Sequence, residues 1–199
     1  MVDFMKGEDK ILGAFHRTLR PGIVVLTLIS SALLPYVAWS AQEPEILGLR
    51  MGMNIAAVRD IFARHNIALT EAEAGVLAAP KGPEAPTGTR AVRLTFEKGT
   101  LYKIVIQFDT PPHEATATAL IQAYEAEKDR LTKQLGAPAQ ELAVNDAPSP
   151  EDRYDWIRRG RAYYRTVWSV TKKMNVALWL YSEDPGIVLM EVYEAAESP

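Results

Sequence analysis

Hydrophobic and polar positions alternate most regularly in the middle of the chain. Every second residue is apolar in residues 92–96, and the same alternation returns in residues 102–108. A period of two places one set of side chains on one face of a strand. Between the two runs, residues 97–100 read Glu-Lys-Gly-Thr, which is typical of a tight turn. This pattern predicts a β-hairpin with one apolar face.

Two other stretches have the spacing of amphipathic helices. In the first, apolar residues recur at intervals of three and four over residues 55–65. Asn54 precedes this stretch, and an asparagine there caps a helix by accepting a hydrogen bond from a free backbone N–H. Asn66 follows it and is suited to the left-handed conformation that ends many helices.

The second predicted helix begins after Thr110, with Pro111 at its first position, and ends before Gly136 and Pro138. Lys128 lies within its apolar stripe, so we expect the aliphatic stem of that lysine to cover apolar surface. The stripe consists of Ala117, Leu120, Ile121, Tyr124, Leu131 and Leu135.

Residues 139–152 are polar and contain proline, which indicates a connecting segment. Strand-like segments rich in aromatic and β-branched residues follow at 153–157, 161–170, 175–181 and 187–193. The order is helix, hairpin, helix and then strands, without a βαβ repeat. It predicts an α+β fold in which two helices pack on an antiparallel sheet built from hairpins.

Two segments of this pattern resemble a known family. LGLRMGMNIAAVRDIF, which begins at residue 47, and the hairpin VRLTFEKGTLYKIVIQFD are similar to the small periplasmic domains of the SmpA/OmlA outer-membrane assembly family. The resemblance covers residues 47–108. It implies a helix ahead of an antiparallel sheet, an envelope assembly role, and structural roles for Gly52, Met53 and Val58. Members of that family are lipoproteins, whereas this chain has no cysteine and continues through a second helix and further strands.

The amino terminus has the features of an export signal. Residues 23–38 are apolar and uncharged, and they follow a leader that contains Arg17 and Arg20. Sixteen residues span about 24 Å as a helix, which is short for a membrane core of about 30 Å and suits the apolar region of a signal peptide. Cleavage before Ala41 fits the small residues at Ala38 and Ser40. The alternative is an uncleaved signal-anchor.

We therefore expect residues 1–40 to form a signal peptide or signal-anchor and residues 41–199 to form a single α+β domain. Two small helix-plus-hairpin lobes joined near residues 109–150 are the alternative organisation. The expected location is the periplasm or the exterior, with an inner-membrane anchor if the signal is retained.

Composition narrows the functional classes. The 199 residues carry a formal net charge of −3 and include no cysteine. Absence of cysteine excludes disulfides, thiol nucleophiles, cysteine-based zinc sites and lipid-modified cysteine. The mild net charge and the expected export argue against nucleic acid as a partner.

The sequence contains no complete catalytic motif. His113-Glu114 begins like the zinc-protease motif, but Ala117 stands where the second histidine ligand would be. His65 is positioned as the last residue of the first helix, where a positive charge is favourable. We expect no cofactor and no metal. A secreted hydrolase with a dispersed site at His113 and either Asp109 or Glu114 is the alternative hypothesis.

One segment combines arginine with aromatic residues. Residues 151–173 contain five arginines and two lysines against three acids, a net charge of +4. One interpretation is a hairpin with buried aromatics and solvated arginines. The more specific interpretation is a surface that binds an anionic partner. Arginine binds phosphate and carboxylate groups through two parallel hydrogen bonds, and aromatic side chains supply rigid contact area. The predicted partner-binding residues are Arg158, Arg159, Arg161, Tyr163 and Arg165.

These observations favour a non-enzymatic envelope protein that binds a protein partner or an anionic envelope component. A single-span accessory subunit of a membrane complex is the remaining alternative, with membrane contact through residues 23–38. The sequence places Arg158, Arg159 and Arg161 around an exposed turn. Replacing all three with glutamate is therefore predicted to abolish partner binding with little change in melting temperature.

Overall fold

The computed structural model describes residues 44–110, 117–147, 149, 152–183 and 186–196, which form three helices and eight strands. The helices are α1 (Ile55–Arg64), α2 (Ala117–Leu135) and α3 (Arg153–Arg158). The strands are β1 (Thr70–Glu73), β2 (Val76–Ala79), β3 (Thr89–Glu97), β4 (Thr100–Phe108), β5 (Gln140–Asn145), β6 (Ala162–Thr171), β7 (Met174–Glu183) and β8 (Gly186–Ala195). The predicted α+β class with an antiparallel sheet is confirmed.

All eight strands belong to one sheet with the order β1-β2-β3-β4-β8-β7-β6-β5, and every neighbouring pair is antiparallel. The order divides the sheet into two halves of four strands each. Strands β1 to β4 follow α1, whereas β5 follows α2 and β6 to β8 follow α3. The last strands of the halves, β4 and β8, pair at the centre, with Ile104 opposite Tyr193. This seam joins the two halves into one sheet.

The predicted hairpin is present as β3 and β4. Glu97 pairs with Thr100, so Lys98 and Gly99 form a two-residue turn. Both have positive φ, at 48° and 82°. This combination matches the right-handed twist of the flanking strands, and glycine adopts it without a steric cost.

The helices lie on one face of the sheet, which we call the helical face. The hydroxyls of Tyr124 in α2 and Thr166 in β6 are 2.6 Å apart, and Ser182 Oγ in β7 donates to the backbone oxygen of Arg158 in α3 at 2.7 Å. Trp168 and Phe62 are among the largest fully buried side chains of the core on this face. The opposite side of the sheet, whose side chains alternate with these, is called the open face.

The first helix agrees with the prediction in detail. Asn54 caps it by accepting a hydrogen bond from the backbone nitrogen of Ala57 at 2.8 Å. Val58 and Phe62 are fully buried. Asn66 has a φ of 55°, which is the left-handed conformation expected at this end.

Two predictions about residues 139–158 are wrong. The segment 153–157 forms most of helix α3 rather than a strand. Its burial does not alternate as it would in a strand: Ile157 is buried, and Tyr154 and Trp156 are half-buried beside the core. The predicted connecting segment contains the edge strand β5, whose first four residues are exposed. Burial on one face is what produces alternation, so this strand has no alternating pattern.

The predicted signal peptide and the predicted start of the second helix fall in residues that the structure does not describe. The short strands β1 and β2 were not predicted. The second helix ends at Leu135, as predicted, but its predicted first turn falls in residues 111–116, outside the described residues. The predicted signal peptide, residues 1–40, lies outside them as well.

Candidate functional site

The five predicted partner-binding residues lie in two different places. Arg158 ends α3, and Arg159 and Arg161 lie in the turn between α3 and β6. Tyr163 and Arg165 follow on β6, where their side chains belong to the open face. Arg158, Arg159 and Arg161 therefore surround a helix-to-strand turn, and the prediction that they lie in a hairpin is wrong.

The three arginines near the turn are exposed and have local partners. Arg158 Nε and Arg159 Nη2 each lie 3.4 Å from a carboxylate oxygen of Asp155. The guanidinium of Arg161 lies 5.4 Å from the ring centroid of Trp156. Exposed ion pairs contribute at most about 1 kcal/mol, so these contacts compete weakly with an incoming anion.

Arg165 has a different environment on the open face. It is opposite Trp179 in the β6–β7 register, and its guanidinium carbon lies 4.6 Å from the centroid of the Trp179 ring. This is a cation–π contact. The Nε atom is buried and has no hydrogen-bond partner among the described residues. Leaving a buried donor unsatisfied costs on the order of 1–3 kcal/mol.

An apolar stripe crosses the open face beside Arg165. Val167, Ala177, Val192 and Val105 stand opposite one another on β6, β7, β8 and β4. Val192 is only 7% exposed, although the helices pack on the other side of the sheet. The stripe is therefore recessed below the longer side chains around it.

Three residues of the stripe, Val167, Ala177 and Val192, form the floor of a cavity of about 440 Å³, a size within the range of ligand sites. The row on one side of the floor contains Arg165, Trp179 and Met190, and the row on the other contains Ser169, Asn175, Glu194 and Lys103. The cavity is thus apolar at its base and polar at its margins.

The two basic residues of this cavity differ in their pairing. Lys103 Nζ lies 3.7 Å from Glu194, directly across the β4–β8 seam. Arg165 has no ion pair within the described residues. A ligand anion would therefore meet Arg165 as the uncompensated cation of this cavity.

Aromatic side chains continue the open face beyond Trp179. The rings of Trp179 and Tyr181 are arranged edge to face with centroids 6.1 Å apart. The Tyr181 hydroxyl donates to Glu183 at 3.3 Å, and burial, with the nearby Glu183, raises the pKa of Tyr181. Tyr163 stands opposite Val144 on this face. Packed rings of this kind lose little conformational entropy when a partner binds.

A second polar cluster lies on the helical face. Glu191 is fully buried in β8, and its carboxylate accepts hydrogen bonds from Arg130 of α2 and from the Tyr193 hydroxyl, the latter at 2.7 Å. Arg130 also pairs with Glu127. One arginine therefore faces two carboxylates.

The charge excess in this cluster affects proton binding. Burial raises the pKa of Glu191 to about 8, and a hydrogen bond with Glu127 acts in the same direction. Arg130 and Tyr193 lower it but do not compensate, since the single charge of Arg130 is shared between two carboxylates. Burial also raises the pKa of Tyr193 far above its ordinary value.

The residues considered for catalysis do not assemble into a site within the described structure. His65 is exposed at the carboxyl end of α1. His113 and Glu114 lie outside the described residues, whereas Asp109 is exposed after β4. Among the described residues there is no group of three or more histidine, aspartate or glutamate side chains that would hold a metal ion.

Sequence reasoning identified Arg165 and Tyr163 but missed Trp179, Met190 and Lys103. The missed residues belong to strands that were predicted. The registers that align Trp179 with Arg165 and Met190 were not available from the sequence. The cavity is a product of those registers.

No helix of the described chain is both long and apolar enough to cross a membrane. Comparison of the chain with protein-family models, with curated proteins and with solved structures gives no match. The similarity of residues 47–108 to SmpA/OmlA domains consequently stays a prediction.

Proposed function

We propose that this chain is an exported, non-enzymatic binding protein of the cell envelope whose open face binds an acidic segment of a protein partner. The observation that carries this proposal is Arg165, stacked on Trp179 with a buried and unpartnered Nε at the margin of a recessed apolar stripe. The export part rests on the apolar run 23–38 and its basic leader.

The chemistry of Arg165 favours a carboxylate. Its guanidinium presents a planar fork of donors that matches two carboxylate oxygens, and charge-assisted hydrogen bonds are about twice as strong as neutral ones. The contact with Trp179 fixes the plane of this fork before a partner arrives. Pre-organisation reduces the entropy lost on binding.

The apolar stripe favours a polypeptide over a polysaccharide. Val167, Ala177, Val192 and Val105 offer no hydrogen-bonding groups, so sugar hydroxyls placed on them would lose their water without replacement. Apolar side chains of a peptide would bury these surfaces favourably. A segment in which acidic and apolar residues alternate therefore fits both the stripe and Arg165.

The turn arginines contribute differently in this proposal. Arg158, Arg159 and Arg161 are exposed and paired weakly, so they would attract an acidic partner at long range and affect its association rate more than its affinity. Arg165 and Trp179 would hold the bound segment. This division refines the prediction that all five residues act as one surface.

The binding experiment compares peptides with the purified chain by calorimetry. The probes are three short peptides of matched length in which leucine alternates with aspartate, serine or lysine. We expect the aspartate peptide to bind most tightly. Arg165→Met keeps an aliphatic stem over Trp179 but removes the fork, and should weaken aspartate-peptide binding about tenfold, because a hydrogen bond to a charged group contributes about 1.5–3 kcal/mol.

Arg59→Met is the matched control, since Arg59 is an exposed residue of α1 and the change in charge is the same. The triple change of Arg158, Arg159 and Arg161 to glutamate should lower the association rate at low salt. The proposal is wrong if Arg165→Met and Arg59→Met bind the aspartate peptide equally. It is also wrong if anionic lipid vesicles or acidic polysaccharide bind to Arg165 and the peptide does not.

The export part has its own test. The intact mass of the protein is measured in the soluble envelope fraction and in the membrane fraction of its native cells. A soluble species that begins at Ala41 is expected. A full-length species retained in the membrane would replace this part with the alternative of a single-span accessory subunit. The hydrolase alternative gains no support from the described residues.

A further inference from the structure

The apolar stripe of the open face continues past Val105 to strand β3. Arg93 stands opposite Val105 on β3, and Ala78 stands opposite Arg93 on β2. Both chain neighbours of Arg93 are buried in the core under the helical face, so the Arg93 side chain belongs to the open face. The stripe therefore has an arginine at each end, Arg165 beside its β6 end and Arg93 at its β3 end.

Arg93 is exposed, and it makes no hydrogen bond or ion pair with another described residue. Its charge nevertheless acts on the aromatic rings of the open face. Burial and then Glu183 raise the pKa of Tyr181, whereas the positive charge of Arg93 lowers it. Because the Tyr181 ring packs against Trp179, the charge of Arg93 reaches the same group of side chains that holds Arg165.

The two arginines are separated by a distance that a short extended peptide can span. Strands β6 and β3 are four places apart in the sheet order. Neighbouring strands lie about 4.8 Å apart, so Arg165 and Arg93 start about 19 Å apart measured across the strands. The guanidinium of Arg165 lies over Trp179 on β7, which is one strand closer to β3. From there to β3 the distance is three strand spacings, about 14 Å.

This distance corresponds to a spacing of four residues in an extended segment. Such a segment rises about 3.3 Å per residue, so four residues span about 13 Å, and side chains at an even spacing point to the same side. The residue midway between them also points to the sheet and would cover the apolar floor between β7 and β4. A segment that lay along a single strand would reach only one of the two arginines.

We propose that Arg93 is a second anion-binding residue of the open face, and that the partner's segment crosses the strands with two acidic residues four positions apart, one at Arg165 and one at Arg93. This assignment rests on the binding function proposed above and specifies the sequence of the segment that it binds. An apolar residue is expected midway between the two acidic ones, because its burial on the stripe is favourable.

The test uses three serine-based peptides of equal length, each with one leucine at its centre. The first has two aspartates four positions apart, with the leucine midway between them. The second has two aspartates ten positions apart, so its net charge is the same. The third has only one aspartate, two positions from the leucine. Calorimetry with the purified chain should show the first peptide binding about fivefold more tightly than the other two, as expected for one additional exposed ion pair.

Three variants assign the additional affinity to a residue. Arg93→Met should lower the affinity of the four-spaced peptide to that of the one-aspartate peptide, and should leave the one-aspartate peptide unaffected. Arg165→Met should weaken the binding of all three peptides. Arg59→Met is the matched control, because it changes the net charge equally at an exposed position of α1.

The outcomes separate this assignment from the function on which it rests. Equal affinities for the four-spaced and ten-spaced peptides, with both still dependent on Arg165, would overturn the role of Arg93 and leave the proposed function standing. An equal loss in Arg93→Met and Arg59→Met would have the same meaning. Peptide binding that does not depend on Arg165 would overturn both.

Discussion

Replacing Glu191 with glutamine should remove a pH dependence from the stability of the protein. The carboxyl group is fully buried between α2 and the seam of the sheet, and its pKa is raised to about 8 from an ordinary value of 4.5. Burial is the largest cause, because the charged form loses its water and shares Arg130 with Glu127. The folded protein therefore holds a proton between these two pH values that the unfolded chain releases.

The direction of the effect follows from proton linkage. Where the folded state binds the additional proton, the free energy of unfolding falls as the pH rises. One proton corresponds to a slope of at most about 1.4 kcal/mol per pH unit. The stabilisation is fully present below about pH 4.5 and is lost as the pH rises to about 8. Across this window the loss is bounded at about 5 kcal/mol.

Urea denaturation of the wild type and of Glu191→Gln at several pH values between 5 and 8 measures this difference. The glutamine retains the shape of the protonated carboxyl group and does not titrate. Subtracting the two curves cancels the contribution of every other titrating group. Glu71→Gln, in the exposed strand β1, should keep the wild-type slope. A wild-type curve that is parallel to the Glu191→Gln curve, or that rises relative to it, would refute the reasoning.

Two further predictions concern packing and helix capping. Leu178→Ala should lower the free energy of unfolding by about 2–5 kcal/mol, because Leu178 is fully buried; Leu142→Ala, at a position 39% exposed on the edge strand, should change it by less than about 0.5 kcal/mol in the same denaturation assay. Asn54→Ala should cost about 1 kcal/mol through loss of the hydrogen bond to Ala57, whereas Asn54→Ser keeps an acceptor and should restore most of it. An equal loss in the alanine and serine variants would contradict the capping argument.

The parts of the fold that the sequence predicts are those in which burial is one-sided. The hairpin of β3 and β4 and the strands β6 and β7 each have one face in the core, so their buried residues alternate. The exception is β8, which has buried residues on both faces and was predicted from its aromatic and β-branched residues. The edge strand β5 is exposed along most of its length and lacks that signal. Helix α3 has only six residues, too few for its aromatic content to be distinguished from that of a strand.

The residues of the candidate site could be predicted from the sequence only in part. Arg165 and Tyr163 are close in sequence and were identified together, but Trp179 lies in the next strand and Met190 in the strand after that. A shift of one residue in either register would move these side chains to the opposite face. The pairing of β4 with β8 places Lys103 beside Glu194, and no local pattern in the sequence contains it.

The central seam also has a consequence for how the chain reaches this structure. The other strand pairs of the sheet join neighbours along the chain, whereas Ile104 and Tyr193 meet across 89 residues of sequence. Closing a loop of that length costs entropy before any contact is gained, so pairings of this kind form late and slow the overall rate. Each half can form its hairpins early, and the pairing of β4 with β8 is then the rate-limiting step of folding. Until it occurs, both halves present an unpaired strand edge to other chains in the compartment.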